Sequence, residues 1–565
     1  PLSSSLLVAL ATPAAAQPNT DLATVTVTAQ QAATKVATPF IETPQSVSTI
    51  TETQMSQRGV STVQRATDYT PGVYSNQIGA SNRFDYLVLR DFSDGSLSNT
   101  FLDGLKVMGD ANSHSSMRID PWFLDSIEVV RGPASVLYGR ASPGGVVALN
   151  SKRPEFEPGG ELRVRVGNND QRSAAFDLTG PLGEEQRVAF RLTGIASAFK
   201  GRDHGVIQAV SDFDLERDQS RFDEEWKVVE EYVRAAGGRP FSMSLMQRDF
   251  APDQWRKILN GLEALDKEGY TVRAQVAPRA IGVFLGLQCT FHPFMGFPAY
   301  KEIAHLPLDE RVGVMKTDAF RQKILSQKSD KLAGPGSSVP PIADLLIENM
   351  EMVAGKLFTL SENPDYEQPP EQSIGAKAER RGVSVWEELF DTVIARDGRE
   401  LIYLPIYNYT ELSYDNVLTM MQHPLAIPGL SDGGAHVGTV CDASFPSYLL
   451  SYWTRDRTRG PRIAPERAVQ MLTADIADYL GLSDRGRIKP GLKADLNVID
   501  YQTLRLHPPR LVKDLPAGGQ RLLQDAEGYR ATIVSGEVVV RNDEVTDARP
   551  GRLVRAGRQE ALAAE

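Results

Sequence analysis

Asp432 is followed directly by Gly433 and Gly434, with His436 close behind and His423 nine residues before it. An aspartate can hold a metal or move a proton, and flanking glycines let the backbone approach a metal or substrate closely. Residues 426–431 read as a strand, so Asp432 falls at a strand's C-terminal end, where barrel enzymes place catalytic groups. An Asp-Gly turn is the alternative reading of the same residues. The chain has seven histidines, and none forms a His-x-His pair. His423 and His436 are candidates for substrate contact, with loop or core packing as the other reading. His292 and His305 lie in a Pro-bounded loop and read as packing residues. A catalytic zinc takes about three protein ligands and keeps one position open, and Asp432 alone stands out as a ligand. Cys289 and Cys441 are the only cysteines, with neither a disulfide framework nor zinc-knuckle spacing.

A second chemistry belongs to residues 21–29. Thr24, Val25, Thr26, Val27 and Thr28 favour an extended strand. Such a strand can be offered to a partner's sheet edge, or can be an ordinary edge strand. Before it, the apolar residues 5–11 and the small residues 14–16 read as the h-region and cleavage site of a secretory signal peptide without its basic n-region. That run is too short to span a bilayer as a helix.

The elements that position these residues change character near residue 197. Up to that point the text is β-rich with Gly and Pro turns. Residues 161–167, 172–179 and 187–195 alternate apolar and polar as membrane-barrel strands do, with a turn at 181–183. Beyond it, strands at 205–211, 241–247 and 271–277 alternate with helices at 222–236 and 255–268. That is βα repetition, which argues for a parallel sheet or barrel. Strands at 401–408 and 426–431 follow a helical insertion over about 309–397, which contains a loop at 334–341. Tail strands at 495–499, 531–534 and 537–541 include a hairpin turn at Ser535-Gly536. Two independently folded units are expected, with few contacts across the junction.

The chain has 565 residues and a net charge of −11. No basic stripe stands out, which argues against nucleic acid as a main partner. A composition 41% hydrophobic and 24% charged is ordinary for globular protein.

Two resemblances follow from ordered motifs. Thr43-Pro44-Gln45-Ser46-Val47, Asp68-Tyr69-Thr70-Pro71-Gly72-Val73, Leu89-Arg90-Asp91-Phe92, Ile127-Glu128-Val129-Val130-Arg131-Gly132-Pro133 and Ser142-Pro143-Gly144-Gly145 closely resemble the plug domain of TonB-dependent siderophore receptors, over roughly residues 20–197. The resemblance implies that residues 23–29 are the box that pairs with a TonB-like transducer, and that a ferric siderophore is a ligand. It also implies an outer-membrane or periplasmic address, with the cytoplasm as the outcome if the truncated signal fails. The family's barrel needs about 22 strands to close around a plug, and about three are legible here.

Gly429-Leu430-Ser431-Asp432-Gly433-Gly434-Ala435-His436, Ala274-Gln275-Val276-Ala277-Pro278-Arg279 and Arg487-Ile488-Lys489-Pro490-Gly491 resemble N-acyl-D-amino-acid deacylases of the amidohydrolase superfamily, over about residues 199–565. This implies a TIM-type barrel with a small β-sandwich, zinc or another divalent metal, an N-acyl amino acid as substrate, and Asp432 as both metal ligand and proton carrier. The superfamily's His-x-His pair and roughly its first three strands have no counterpart.

The expected fold is therefore multidomain. An α+β receptor plug with a few β-barrel strands precedes a partial TIM-type (β/α) barrel with a small β-sandwich. The expected boundaries are a truncated signal at 1–16, the plug at 17–157, barrel strands at 158–197, the partial amidohydrolase barrel at 198–480, and sandwich strands and tail at 481–565. The expected function is a metal-assisted hydrolase of a linear amide, impaired by its incomplete site and fused to a receptor plug. A siderophore-receptor fragment and an inactive fusion are the alternatives.

Overall fold

In the computed structural model the described residues are 32–36, 38–75, 87–90, 92, 99–107, 109–110, 115–116, 119–139, 142–166, 172–183, 187–198, 205–211, 213, 217–333, 339, 341–360, 362–431, 433–434 and 436–554. The predicted signal segment, Thr24 to Thr28 and Asp432 lie outside them, as do residues 199–204 at the junction and most of the loop at 334–341. The chain divides into two compact units, residues 1–202 with 333–340, and residues 203–332 with 341–565.

The first unit is built on a five-stranded mixed sheet. Its strands are β1 (Ser46–Thr51), β2 (Thr100–Leu102), β3 (Leu105–Lys106), β4 (Leu124–Arg131) and β5 (Gly145–Ser151), in the order β1-β4-β5-β2-β3. Central β5 is a nearly continuous apolar run, as a strand covered on both faces must be, and β4 is buried on both faces from Ser126 to Val130, Glu128 included. Ile127, Val129, Val147 and Leu149 fill one core, and Val130, Val146 and Ala148 fill a second with Val47 and Phe101. Gly145 fixes the close approach of β5 to β4. Its φ of 134° is glycine territory, and a Cβ there would overlap the Val130 carbonyl oxygen.

A separate antiparallel sheet follows, made of β6 (Gly159–Val166), β7 (Arg172–Leu182) and β8 (Val188–Ala198). The sequence-predicted turn at 181–183 moves. Pro181 and Leu182 still pair with Ala189 and Val188, and the turn begins at Gly183 with φ 74°. Pro181 is accommodated because a ladder position that points away from its partner needs no N–H.

The second unit contains a four-stranded parallel sheet. Strands β9 (Ile207–Ala209), β10 (Phe241–Leu245), β11 (Val272–Val276) and β15 (Ala426–Pro428) lie in that order. Helices α1 (Phe222–Ala235) and α2 (Gln254–Lys267) cover one face. Phe241, Met243, Leu245, Val272, Ala274 and Val276 pack there with Val229, Val233, Trp255, Ile258 and Leu262. The strand predicted at 401–408 exists as β14 (Ile402–Tyr407), but not in the parallel sheet. It runs antiparallel between β12 (Ile281–Leu285) and β13 (Phe358–Thr359). Its Tyr-Leu-Pro-Ile pattern says strand, while the direction is set by a partner more than a hundred residues away.

Strand β15 closes the parallel sheet at one edge. Gly429 N–H and the Leu425 carbonyl bond to β11, so Ala426 and Pro428 face away. Ala426 N–H is used by the His423 carbonyl, and Pro428 has none. This edge therefore offers no donor to a further strand, whereas a closed barrel has no edge at all.

The tail forms a four-stranded sheet, β16 (Leu496–Ile499), β17 (Tyr529–Val534), β18 (Glu537–Arg541) and β19 (Glu544–Val545). Ser535 and Gly536 both have positive φ, as a two-residue hairpin turn requires. None of these strand residues is buried. Two further two-stranded sheets belong to the same tail, Arg505–Leu506 with Ala526–Glu527 and Arg510–Val512 with Arg521–Leu523. Among those residues no helix is long and apolar enough to cross a membrane.

Candidate functional site

In the first unit the alternation of β6 to β8 is turned inside out. Leu162, Val164, Val166, Phe176, Leu178 and Leu192 point outward, with Leu162 65% exposed and Leu192 56%. The opposite face buries Asp177, 4% exposed. Asp177 accepts from Arg191 Nε at 2.8 Å and Nη2 at 2.7 Å, from Thr193 Oγ1 at 2.9 Å and from Lys152 Nζ at 3.0 Å. Lys152 also pairs with Glu52. Burial alone would raise the Asp177 carboxyl, but the donors from Arg191, Lys152 and Thr193 outweigh it and hold it at about 2. The Lys152 ammonium lies 4.5 Å from the Trp122 ring centroid and the Arg163 guanidinium 4.1 Å from it. Gly194 is needed opposite Phe176, because a Cβ there would collide with the Phe176 ring. A water-soluble sheet buries its apolar face. One that faces lipid does the reverse.

Immediately after the predicted transducer box, Ala32 and Ala33 are buried. Ala32 N–H donates to Glu128 Oε2 at 2.9 Å, its carbonyl accepts from Tyr138 Oη at 2.9 Å, and Lys35 stacks on Tyr138. Thr24 to Thr28 lie outside the described residues. Arg131 ties β4 to the preceding loop by donating to the Pro71 carbonyl at 2.7 Å and to Ser46 Oγ at 2.8 Å.

In the second unit Gly433, Gly434 and His436 are exposed beyond the C-terminal end of β15. Gly434 has φ 101°, a value only glycine takes comfortably, and His436 sits at φ 47° with its carbonyl accepting from Thr439 and Val440. His423 precedes β15, at the other end of the strand, where Nε2 lies 3.0 Å from Glu263 Oε1 of α2. Residues grouped by sequence around Asp432 are thus split between the two ends of one strand. His292 is fully buried, held down to about 3 by burial and by Arg311, and its Nδ1 accepts from Phe294 N–H. Cys441 is buried and Cys289 half-buried, and both are free thiols.

Among the described residues no three His, Cys, Asp or Glu side chains gather where they could hold a metal. The described donors alone do not make up the three ligands of a catalytic zinc, and Asp432, the ligand expected from the sequence, lies outside those residues.

What the second unit buries instead are charged pairs. Arg279, just past β11, is fully buried 3.1 Å from Asp442 and stacks on Tyr366 and Phe445. Glu367 accepts from Arg457 Nε and Nη2, each at 2.9 Å, from Tyr452 Oη at 2.6 Å and from Tyr414 N–H at 2.7 Å. Sequence reasoning missed these residues and Asp177 alike. For Asp177 the available signal was a charged residue at a strand position whose neighbours two residues away, Ala175 and Thr179, are buried; the others lie outside strands and gave no such signal.

Comparison with known proteins agrees with this division. Residues 39–146 match the TonB-dependent receptor plug domain, and residues 382–540 match the amidohydrolase family. The chain therefore joins a receptor-plug region to an amidohydrolase region. It is 65% identical over 185 residues to the ferrioxamine B receptor of Salmonella typhimurium, covering 32% of this chain and 26% of that protein. It is 48% identical over 170 residues to the ferrioxamine receptor of Yersinia enterocolitica, covering 30% and 24%. The ferrichrome outer membrane transporter/phage receptor of Escherichia coli K12 is 39% identical over 183 residues, covering 32% and 24%. The chain thus spans about a quarter of the length of these relatives. Among solved structures, the alcaligin receptor FauA of Bordetella pertussis aligns at 25% identity and a TM-score of 0.27, over 32% of this chain and 31% of that one.

Proposed function

We propose that residues 17–197 are the plug and opening wall strands of an outer-membrane receptor for a ferric siderophore of the ferrioxamine type, which engages a TonB-like transducer through residues 23–29. The observation that carries this reading is the inverted sheet. Apolar side chains on β6 to β8 face outward while Asp177, Arg191 and Lys152 are buried, an arrangement that gains free energy only if the outer face meets hydrocarbon. The names of the ferrioxamine and ferrichrome relatives support the ligand class and the outer-membrane address. Transport is not part of the proposal, because three strands do not close a pore around a plug. The test is fractionation of cells making the full chain, with a pull-down by the periplasmic domain of a TonB-like protein. Outer-membrane recovery and a pull-down lost on replacing Thr24 to Thr28 by glycines are expected. Recovery in the cytoplasm alone, or an unchanged pull-down, contradicts the reading.

A second reading is favoured by the parallel β9-β10-β11-β15 sheet. Residues 198–480 are read as a partial TIM-type barrel related to N-acyl-D-amino-acid deacylases, with residues 481–565 as its small β-domain and with hydrolysis impaired. A bound divalent metal would polarise the amide and activate water. The described donors do not gather for one, so no step is assigned to it. With zinc added, turnover of N-acetyl-D-amino acids at background level is expected, unchanged by Asp432→Ala. Robust zinc-dependent turnover that Asp432→Ala abolishes would restore a working site.

A further inference from the structure

The C-terminal end of β10 carries two buried polar atoms with nothing to bond. Gln247 and Asn408 are both fully buried, and Gln247 Oε1 and Asn408 Nδ2 have no hydrogen-bond partner among the described residues. One is an acceptor and the other a donor, and they arise side by side. Gln247 N–H donates to Asn408 Oδ1 at 2.8 Å, and Asn408 N–H donates to the Gln247 carbonyl at 3.0 Å.

The orientation of both amides is fixed by these partners. Asn408 Oδ1 is held by the Gln247 N–H, which leaves Nδ2 as the free end. Gln247 Nε2 donates to both carboxylate oxygens of Glu411, at 2.9 and 2.7 Å, so Oε1 is the free end. Glu411, the partner of the Gln247 amide, is itself exposed. Asn408 is held at φ 66°, a left-handed conformation that Asn tolerates better than most residues. A buried donor and acceptor left unmade cost free energy, and such groups mark sites where a ligand or water completes the network.

We propose that Gln247 and Asn408 form a recognition edge for a primary carboxamide beside the Glu411 carboxylate. The ligand's carbonyl accepts from Asn408 Nδ2, and its syn N–H donates to Gln247 Oε1. Its second N–H faces the remaining lone pairs of Glu411. A carboxylate ligand presents no donor to Oε1 and is repelled by Glu411. A tertiary amide has no N–H to offer. The site lies at a strand end, where α/β sheets bind ligands, and it uses neither Asp432 nor a metal. It does not depend on the receptor reading of residues 17–197.

The test is a ¹⁵N NMR titration of the side-chain amides of Gln247 and Asn408 in the full chain, with propionamide, N,N-dimethylpropionamide and propionate as probes. Saturable shifts with propionamide are expected, at least about tenfold weaker with the other two, since one hydrogen bond is worth about that factor. Asn408→Asp keeps the acceptor for Gln247 N–H but removes the free donor, and should abolish the propionamide shift at Gln247. If that variant does not fold, the three-probe comparison on the unmodified chain decides. Signals unmoved by propionamide, or moved equally by all three probes, would mean that the pair holds buried water only, and would overturn the proposal.

Discussion

The three-stranded sheet β6 to β8 and the parallel sheet of the second unit are both two-faced, yet they present opposite faces to their surroundings. In the parallel sheet the apolar face is buried under α1 and α2, and the other face carries Gln208, Ser242, Arg273 and Gln275. In β6 to β8 the charged face is buried and the apolar face is open. The difference lies in what compensates burial. Helices supply apolar area to one sheet. Arg191, Lys152 and Thr193 supply charge-assisted hydrogen bonds to the other. A buried charge is tolerated only with such partners, and removing one partner costs more than the pair contributes.

Perturbing each unit's buried acid sharpens this contrast. Glu367→Ala strips Arg457 of its main partner in a fully buried site and should cost about 4 kcal/mol, read by calorimetry as a lowered melting transition of the second unit. If that transition does not move, Arg457 is better solvated than its burial implies. Asp177→Ala removes the buried acid that Arg191 and Lys152 share, leaving them only the more exposed Glu155 and Glu52, and should cost the first unit about 3 kcal/mol. An effect under about 1 kcal/mol would mean that the inverted face is wet. Gly145→Ala combines strain at φ 134° with a clash at Val130 and should cost about 2 kcal/mol or more in the same unit.

A smaller effect comes from pH. The Asp177 carboxyl titrates at about 2 when folded, against about 3.9 when unfolded. A depressed folded value means that the contribution, about 2 kcal/mol, is complete above pH 4 and is lost as pH falls from about 4 to 2. Urea melts of the unmodified chain and Asp177→Asn at pH 6 and pH 3 check this. The gap between them should narrow at the lower pH.

Much of this was legible in the residues. The alternation of Leu162, Val164 and Val166 predicted a two-faced strand, and the βα rhythm predicted a parallel sheet. Membrane-barrel alternation also put the apolar face outward, but what holds the buried face was not legible, because the partners of Asp177 lie 14, 16 and 25 residues away. Nor was the sheet to which Ile402–Tyr407 belongs, since Ile281–Leu285 pairs with it across an insertion of more than a hundred residues. The paired amides at Gln247 and Asn408 were not legible for a similar reason. Gln247 and Asn408 meet only through the fold, whereas His423 is close in sequence but belongs to the opposite strand end.

The central claim is that the outer face of β6 to β8 is made for lipid. It is tested most directly by spin labels at 173, 174, 176, 178 and 181 along β7, with the full chain in phospholipid nanodiscs and Cys289 and Cys441 replaced by serine. The account predicts high oxygen and low nickel-chelate accessibility at 174, 176 and 178, and the reverse or neither at 173 and 181. High nickel-chelate accessibility at 176 and 178, with no two-residue period, would contradict it.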